Sequence, residues 1–112
     1  MRVSIHQLST ASTPWKDGLH MTASSWQSVD SVDQFGDKVR RVYHYTTLMC
    51  EFIVNDDATW CGVLSVGHGS KSDQKGMNTL LQSVDSAVRY YRDGGNPRYS
   101  TSRNGLPVAV RG

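Results

Sequence analysis

The sequence predicts one α+β domain, an antiparallel sheet with a single amphipathic helix packed on one face. Three observations carry this: two β-prone runs separated by a turn cluster, an apolar stripe at helical spacing, and a turn dipeptide near the C-terminus.

The β signal is strongest over residues 39–54, rich in the Val, Tyr, Thr, Phe and Ile that suit a pleated, half-buried surface. One parity holds Val42, His44, Thr46, Leu48, Cys50, Phe52 and Val54, and as the more apolar set it should face the core. The other, from Arg41, Tyr43 and Tyr45 to Glu51 and Ile53, is amphipathic. Asn55-Asp56-Asp57 reads as a turn, and residues 59–67 as the second arm of a long hairpin. Pairing Val54 with Thr59 sets Phe52 opposite Cys61 and Cys50 opposite Val63. The two cysteines then share a face on a diagonal, and free thiols are expected rather than a disulfide.

The helix rests on Met77, Leu80, Leu81, Val84, Ala87, Val88 and Tyr91, one continuous stripe that predicts a helix over about 73–92. Ser72 or Asp73 would cap its start, Gly94-Gly95 would end it, and Pro97 would bar its resumption. Such a helix must bury its stripe on the sheet to be stable. Beyond it, Asn104-Gly105 between 99–102 and 106–110 predicts a C-terminal hairpin, with Pro107 placing the last strand at an edge. Ahead of the main hairpin, residues 2–8 suit a short first strand and 9–18 a loop. The alternation of Trp26, Ser28, Asp30 and Val32 permits a further strand within 19–32, and Gln34-Phe35-Gly36-Asp37 reads as a turn.

Composition narrows the function classes. A length of 112 residues suits one domain, and 38% hydrophobic with 20% charged residues is a globular balance. A net charge of +2 excludes an acidic nucleic-acid mimic and is weak for a nucleic-acid binder. No apolar run approaches the roughly 18 residues of a membrane span, and the N-terminus has no hydrophobic signal core, so a cytoplasmic protein is expected. Cys50 and Cys61 without a second pair make a poor zinc site. No metal or cofactor is expected.

The best-marked polar feature is the loop Gly67-His68-Gly69-Ser70-Lys71-Ser72-Asp73-Gln74-Lys75-Gly76, running from strand to helix. Free N–H groups at a helix start, with Lys71 and Lys75 nearby, suit an anion. The spacing is not that of a phosphate-binding P-loop, and the Asp73 carboxylate would compete for the same amides. His68, Ser70 and Asp73 are residue types of a hydrolytic triad but lie within six residues, whereas triads draw on separated elements. His44, on the apolar parity, reads as a core histidine bonded to a neighbour, and no enzyme activity is expected. The stretch from Tyr90, Tyr91 and Arg92 to Arg98 and Tyr99 hints at a basic–aromatic surface of the kind that binds single strands. The candidate contact residues are therefore His68, Ser70, Lys71, Ser72, Asp73, Gln74, Lys75, Tyr90 and Arg92.

The pattern G-x-G-S-x-S-D-Q-x-G-M-N, carried here from Gly67 to Asn78, resembles one found in small uncharacterised proteins of tailed bacteriophages. Tyr43-His44-Tyr45-Thr46-Thr47 and Tyr90-Tyr91-Arg92-Asp93-Gly94-Gly95 extend the similarity over roughly residues 42 to 99. The resemblance implies a phage origin and action in the bacterial host cytoplasm. It assigns no activity and no site residue. Gene context of this kind favours binding to a host or phage protein, through the loop or the sheet face opposite the helix. Nucleic acid, or a phosphorylated ligand held by the loop, is the alternative partner. An enzyme using His68 and Asp73 as acid and base ranks last.

Overall fold

A computed structural model describes residues 1–55 and 59–101. Five strands form an antiparallel meander in the order β1 (His20–Ala23), β2 (Trp26–Val32), β3 (Lys38–His44), β4 (Thr47–Val54) and β5 (Thr59–Val63). One helix, α1 (Lys71–Ser83), follows, and β6 (Val88–Asp93) and β7 (Asn96–Thr101) pair as a separate two-stranded hairpin. The chain is thus the expected α+β domain. Among the described residues no helix is long and apolar enough to cross a membrane.

The β4–β5 register is the one the turn cluster predicted, with Val54 opposite Thr59, Phe52 opposite Cys61 and Cys50 opposite Val63. Both cysteines are free thiols. The Cys61 side chain, burial and nearby charge push the Cys50 thiol well above its ordinary pKa, so it stays protonated.

The run 39–54 is not one strand but two. The chain folds back at Tyr45 and Thr46, so the first arm of the predicted hairpin is itself a hairpin, β3–β4. Alternation could not reveal this. A bulge between Val42 and Tyr43 shifts the register, with Val42 opposite Cys50 and Tyr43 opposite Leu48, and Val42, His44, Cys50 and Phe52 are buried as expected. Residues 2–8 form a 3-10 helix, Ile5–Leu8, instead of a strand, and only Arg2 bridges Thr22. Ser4 and Gln7 close a capping box there, and Leu8 is driven into the core.

The helix ends at Ser83, well short of 92. Asp85 adopts the left-handed region at φ 55°, which a short polar side chain tolerates, and Val88 to Asp93 turn extended. The helical stripe and the β-prone composition compete over this segment, and tertiary contacts settle it. Asn78 accepts from the Tyr90 backbone N–H at 2.7 Å and donates to the Tyr90 carbonyl at 2.9 Å, clamping β6 alongside α1. Gly94-Gly95 accordingly turns the β6–β7 hairpin rather than ending the helix, and Pro97 sits within β7 opposite Arg92. The expected hairpin around Asn104-Gly105 lies outside the described residues.

Helix α1 contributes Met77, Leu80 and Leu81 to one core with Met21, Trp26, Val42, Phe52, Tyr90 and Tyr99. A second buried feature stitches the N-terminal loop to the sheet. Arg40 is fully buried and forks onto Asp30, Nε to Oδ1 at 2.6 Å and Nη2 to Oδ2 at 2.8 Å. Its remaining donors reach the carbonyls of Leu8, Thr13 and Pro14. Each of these polar groups therefore has a partner, as burial demands.

Candidate functional site

The loop 67–76 is first a helix-entry device. Ser70, not Ser72 or Asp73, is the N-cap: its hydroxyl accepts from the Asp73 N–H at 3.0 Å, and Asp73 reaches back to the Ser70 N–H at 3.1 Å. The same carboxylate oxygen also accepts from the His68 N–H at 3.0 Å. The His68 and Ser70 amides, which an anion could use, are thus occupied by Asp73, as its charge and position imply. Gly67 is required here twice over. Its φ is 62°, and a Cβ would meet the Asp73 carboxylate at 2.9 Å.

Gly76 is required for a different reason. It lies in α1 against the six-membered ring of Trp26, and a Cβ would come well inside van der Waals contact with that indole. Helix propensity alone favours Gly→Ala by roughly 1 kcal/mol. Overpacking a filled core costs about 1–3 kcal/mol and the indole is fully buried, so the steric effect dominates. Gly76→Ala is expected to lower the urea midpoint. A raised midpoint would show that Trp26 can move aside.

Asp73 has a second partner, from a distant strand. Its Oδ1 lies 2.6 Å from Nδ1 of His44, at the end of β3. Burial acts to raise the Asp73 pKa, but hydrogen bonds from His44, Ser70 and His68 outweigh it and hold the carboxyl below its ordinary range. In the neutral ring, Nδ1 donating to the carboxylate makes Nε2 the acceptor. It faces two hydroxyls, Ser25 at 2.9 Å and Ser72 at 3.2 Å. The ring is clamped between Trp26, stacked at 4.2 Å, and Tyr45, tilted at 4.6 Å. Three elements meet here: the β1–β2 turn, the β3–β4 turn and the start of α1. A backbone bond from Tyr45 N–H to the Ser25 carbonyl, 2.8 Å, ties the two turns together.

Tyr45 stands out in this group. Its φ is 54°, a region where glycine or asparagine is normal and a bulky residue is strained. It is nevertheless 65% exposed. Beside it, on the sheet face away from α1, His20, Gln27, Val29, Tyr43 and Thr46 complete a shallow groove. Val29 is also exposed there.

The sequence-derived contact residues are therefore divided. His68 contributes its backbone N–H to Asp73, and its imidazole is exposed. His44, not His68, is the histidine on Asp73. Ser70 caps the helix, and Lys71, Ser72 and Lys75 are exposed along its first turns. Gln74 is half-buried and gives its backbone N–H to the Ser70 carbonyl. Tyr90 is a correction: it is buried, its hydroxyl donates to the Val66 carbonyl at 2.7 Å, and it offers no contact surface. Burial and the Asp73 charge push its phenol up to about 12. Arg92 is exposed on β6, away from the groove-lining strands. Sequence reasoning missed Ser25 and Tyr45 because each matters through a turn that alternation does not mark.

The chain matches no family model, no curated protein and no solved structure.

Proposed function

We propose that the chain is a small phage-type binding protein that contacts a host or phage protein in the bacterial cytoplasm through the open sheet face around Tyr45. The exposure of Tyr45 at a strained backbone position carries this reading. A tyrosine in the left-handed region costs stability that a turn asparagine would not. An exposed, pre-ordered aromatic beside a groove is what an interface anchor requires. The loop 67–76 then acts from behind, since Asp73 holds His44 and His44 supports the Tyr45 ring.

This face disfavours nucleic acid as the partner. Lys71 and Lys75 belong to α1, which packs on the opposite side of the sheet, and Arg41 on the groove side pairs with Glu51 at 3.8 Å.

The test is affinity capture from host lysate with wild type and Tyr45→Asn, which removes the ring yet tolerates the backbone angle. Tyr45→Asn is expected to fold at least as stably and to bind the captured protein more than tenfold more weakly, as for an anchor residue. A partner kept by Tyr45→Asn but lost from Lys71→Glu/Lys75→Glu would move the surface to the helix start. Oligonucleotide binding that weakens steeply with salt would replace the protein partner with nucleic acid.

A further inference from the structure

We propose that Ser72 is an activated acyl-transfer nucleophile, with His44 as its general base and Asp73 orienting that base, and that it hydrolyses small carboxylic esters. The proposal goes beyond the binding reading and does not depend on it.

The geometry has the parts such chemistry needs: Ser72 and Asp73 from the start of α1, and His44 from the end of β3. Asp73 Oδ1 at 2.6 Å from His44 Nδ1 selects the tautomer whose Nε2 lone pair is free to take a proton. The other Asp73 oxygen is held by the His68 and Ser70 amides, so the carboxylate cannot swing away. Trp26 and Tyr45 keep the imidazole plane in place. Nε2 has one lone pair and two hydroxyls within reach, Ser25 at 2.9 Å and Ser72 at 3.2 Å, so one of them donates at a time. Ser25 is half-buried, whereas Ser72 is exposed, so Ser72 is the hydroxyl an electrophile can reach.

In the first half-reaction Ser72 Oγ adds to the ester carbonyl carbon as its proton passes to His44 Nε2. Collapse of the tetrahedral adduct breaks the ester C–O bond, and the imidazolium returns the proton to the departing alkoxide. This leaves an alcohol and an acyl-Ser72 ester. In the second, water adds to that carbonyl and gives a proton to Nε2. The proton returns to Ser72 Oγ as the acid leaves. The sum is ester plus water giving acid plus alcohol, with no other reactant. His44 remains bonded to Asp73 throughout.

The experiment treats the folded protein with an alkyl fluorophosphonate, which transfers its phosphonyl group to activated serines with loss of fluoride. The expected result is a single phosphonyl adduct, mapped to Ser72 by peptide mass spectrometry and absent when the protein is unfolded in urea. Ser72→Ala removes the hydroxyl facing His44 and leaves the Ser70–Asp73 cap intact. It should keep the wild-type fold and Tyr45-dependent capture, yet hydrolyse p-nitrophenyl acetate roughly a hundredfold more slowly. Absence of an adduct on the folded protein, an adduct on Ser25, or equal hydrolysis by wild type and Ser72→Ala would each overturn the proposal.

Discussion

Replacing Asp73 by alanine is expected to lower folding stability by about 2–4 kcal/mol, the cost of leaving a buried imidazole donor unpaired together with a lost helix cap. The carboxylate is 1% exposed and accepts from His44 Nδ1 and from the His68 and Ser70 amides. Its loss leaves the buried His44 Nδ1 and the part-buried His68 and Ser70 amides without this acceptor, and it removes half of the capping box at α1. The effect should appear as a large drop in the urea midpoint with little change in slope.

The same substitution has a pH signature. The folded-state pKa of Asp73 lies below its unfolded value, so its stabilising contribution is complete above the unfolded value, roughly 3.9. It is lost as pH falls through the folded-state value. The stability gap between wild type and Asp73→Ala should therefore be constant near neutrality and shrink on acidification below about pH 4. A variant that unfolds at the wild-type urea concentration would show that the His44–Asp73 contact contributes nothing net.

The second large effect is expected at Arg40. Arg40→Ala strands the Asp30 carboxylate, itself 1% exposed, and frees the carbonyls of Leu8, Thr13 and Pro14. A cost of about 3–5 kcal/mol follows from the buried, uncompensated charge. Arg40→Lys should not rescue it, because a single ammonium cannot reproduce the two-pronged contact with Asp30 while reaching three carbonyls. The discriminating variant is Arg40→Met with Asp30→Leu. Removing both charges together should cost less than removing Arg40 alone. Amide exchange would locate the damage, with the loop between Leu8 and Lys16 losing protection first. If the double variant is the least stable, the loop contacts, not the ion pair, dominate.

Much of the fold was legible in the chain because it depends on short-range chemistry. Alternation and β-prone composition located the sheet, and the turn cluster after Val54 set the β4–β5 register residue by residue. The stripe of Met77, Leu80 and Leu81 placed the helix and its buried face. The expectation failed where two periodicities overlapped. Val84, Val88 and Tyr91 continue a helical stripe, yet Val88 to Asp93 is a strand, because Asn78 clamps the Tyr90 backbone and Asp85 tolerates the turn. It failed again at Tyr45, where a strained turn splits a run that composition marks as uniform.

The site was legible in part. The competition between Asp73 and an anion for the loop amides, and His44 as a bonded core histidine, follow from charge and parity. That these two residues are each other's partner does not, since 29 positions separate them.

The sequence by itself determined that the loop 67–76 enters a helix and lacks the spacing of a P-loop, because spacing and the sign of a carboxylate are local properties. Only the tertiary structure decided what that loop serves. Folding brings the end of β3, the β1–β2 turn and the start of α1 to one point, and there Asp73, His44, Ser25 and Ser72 become neighbours. Contacts between such distant segments are set by how the whole core packs, and no local pattern encodes them.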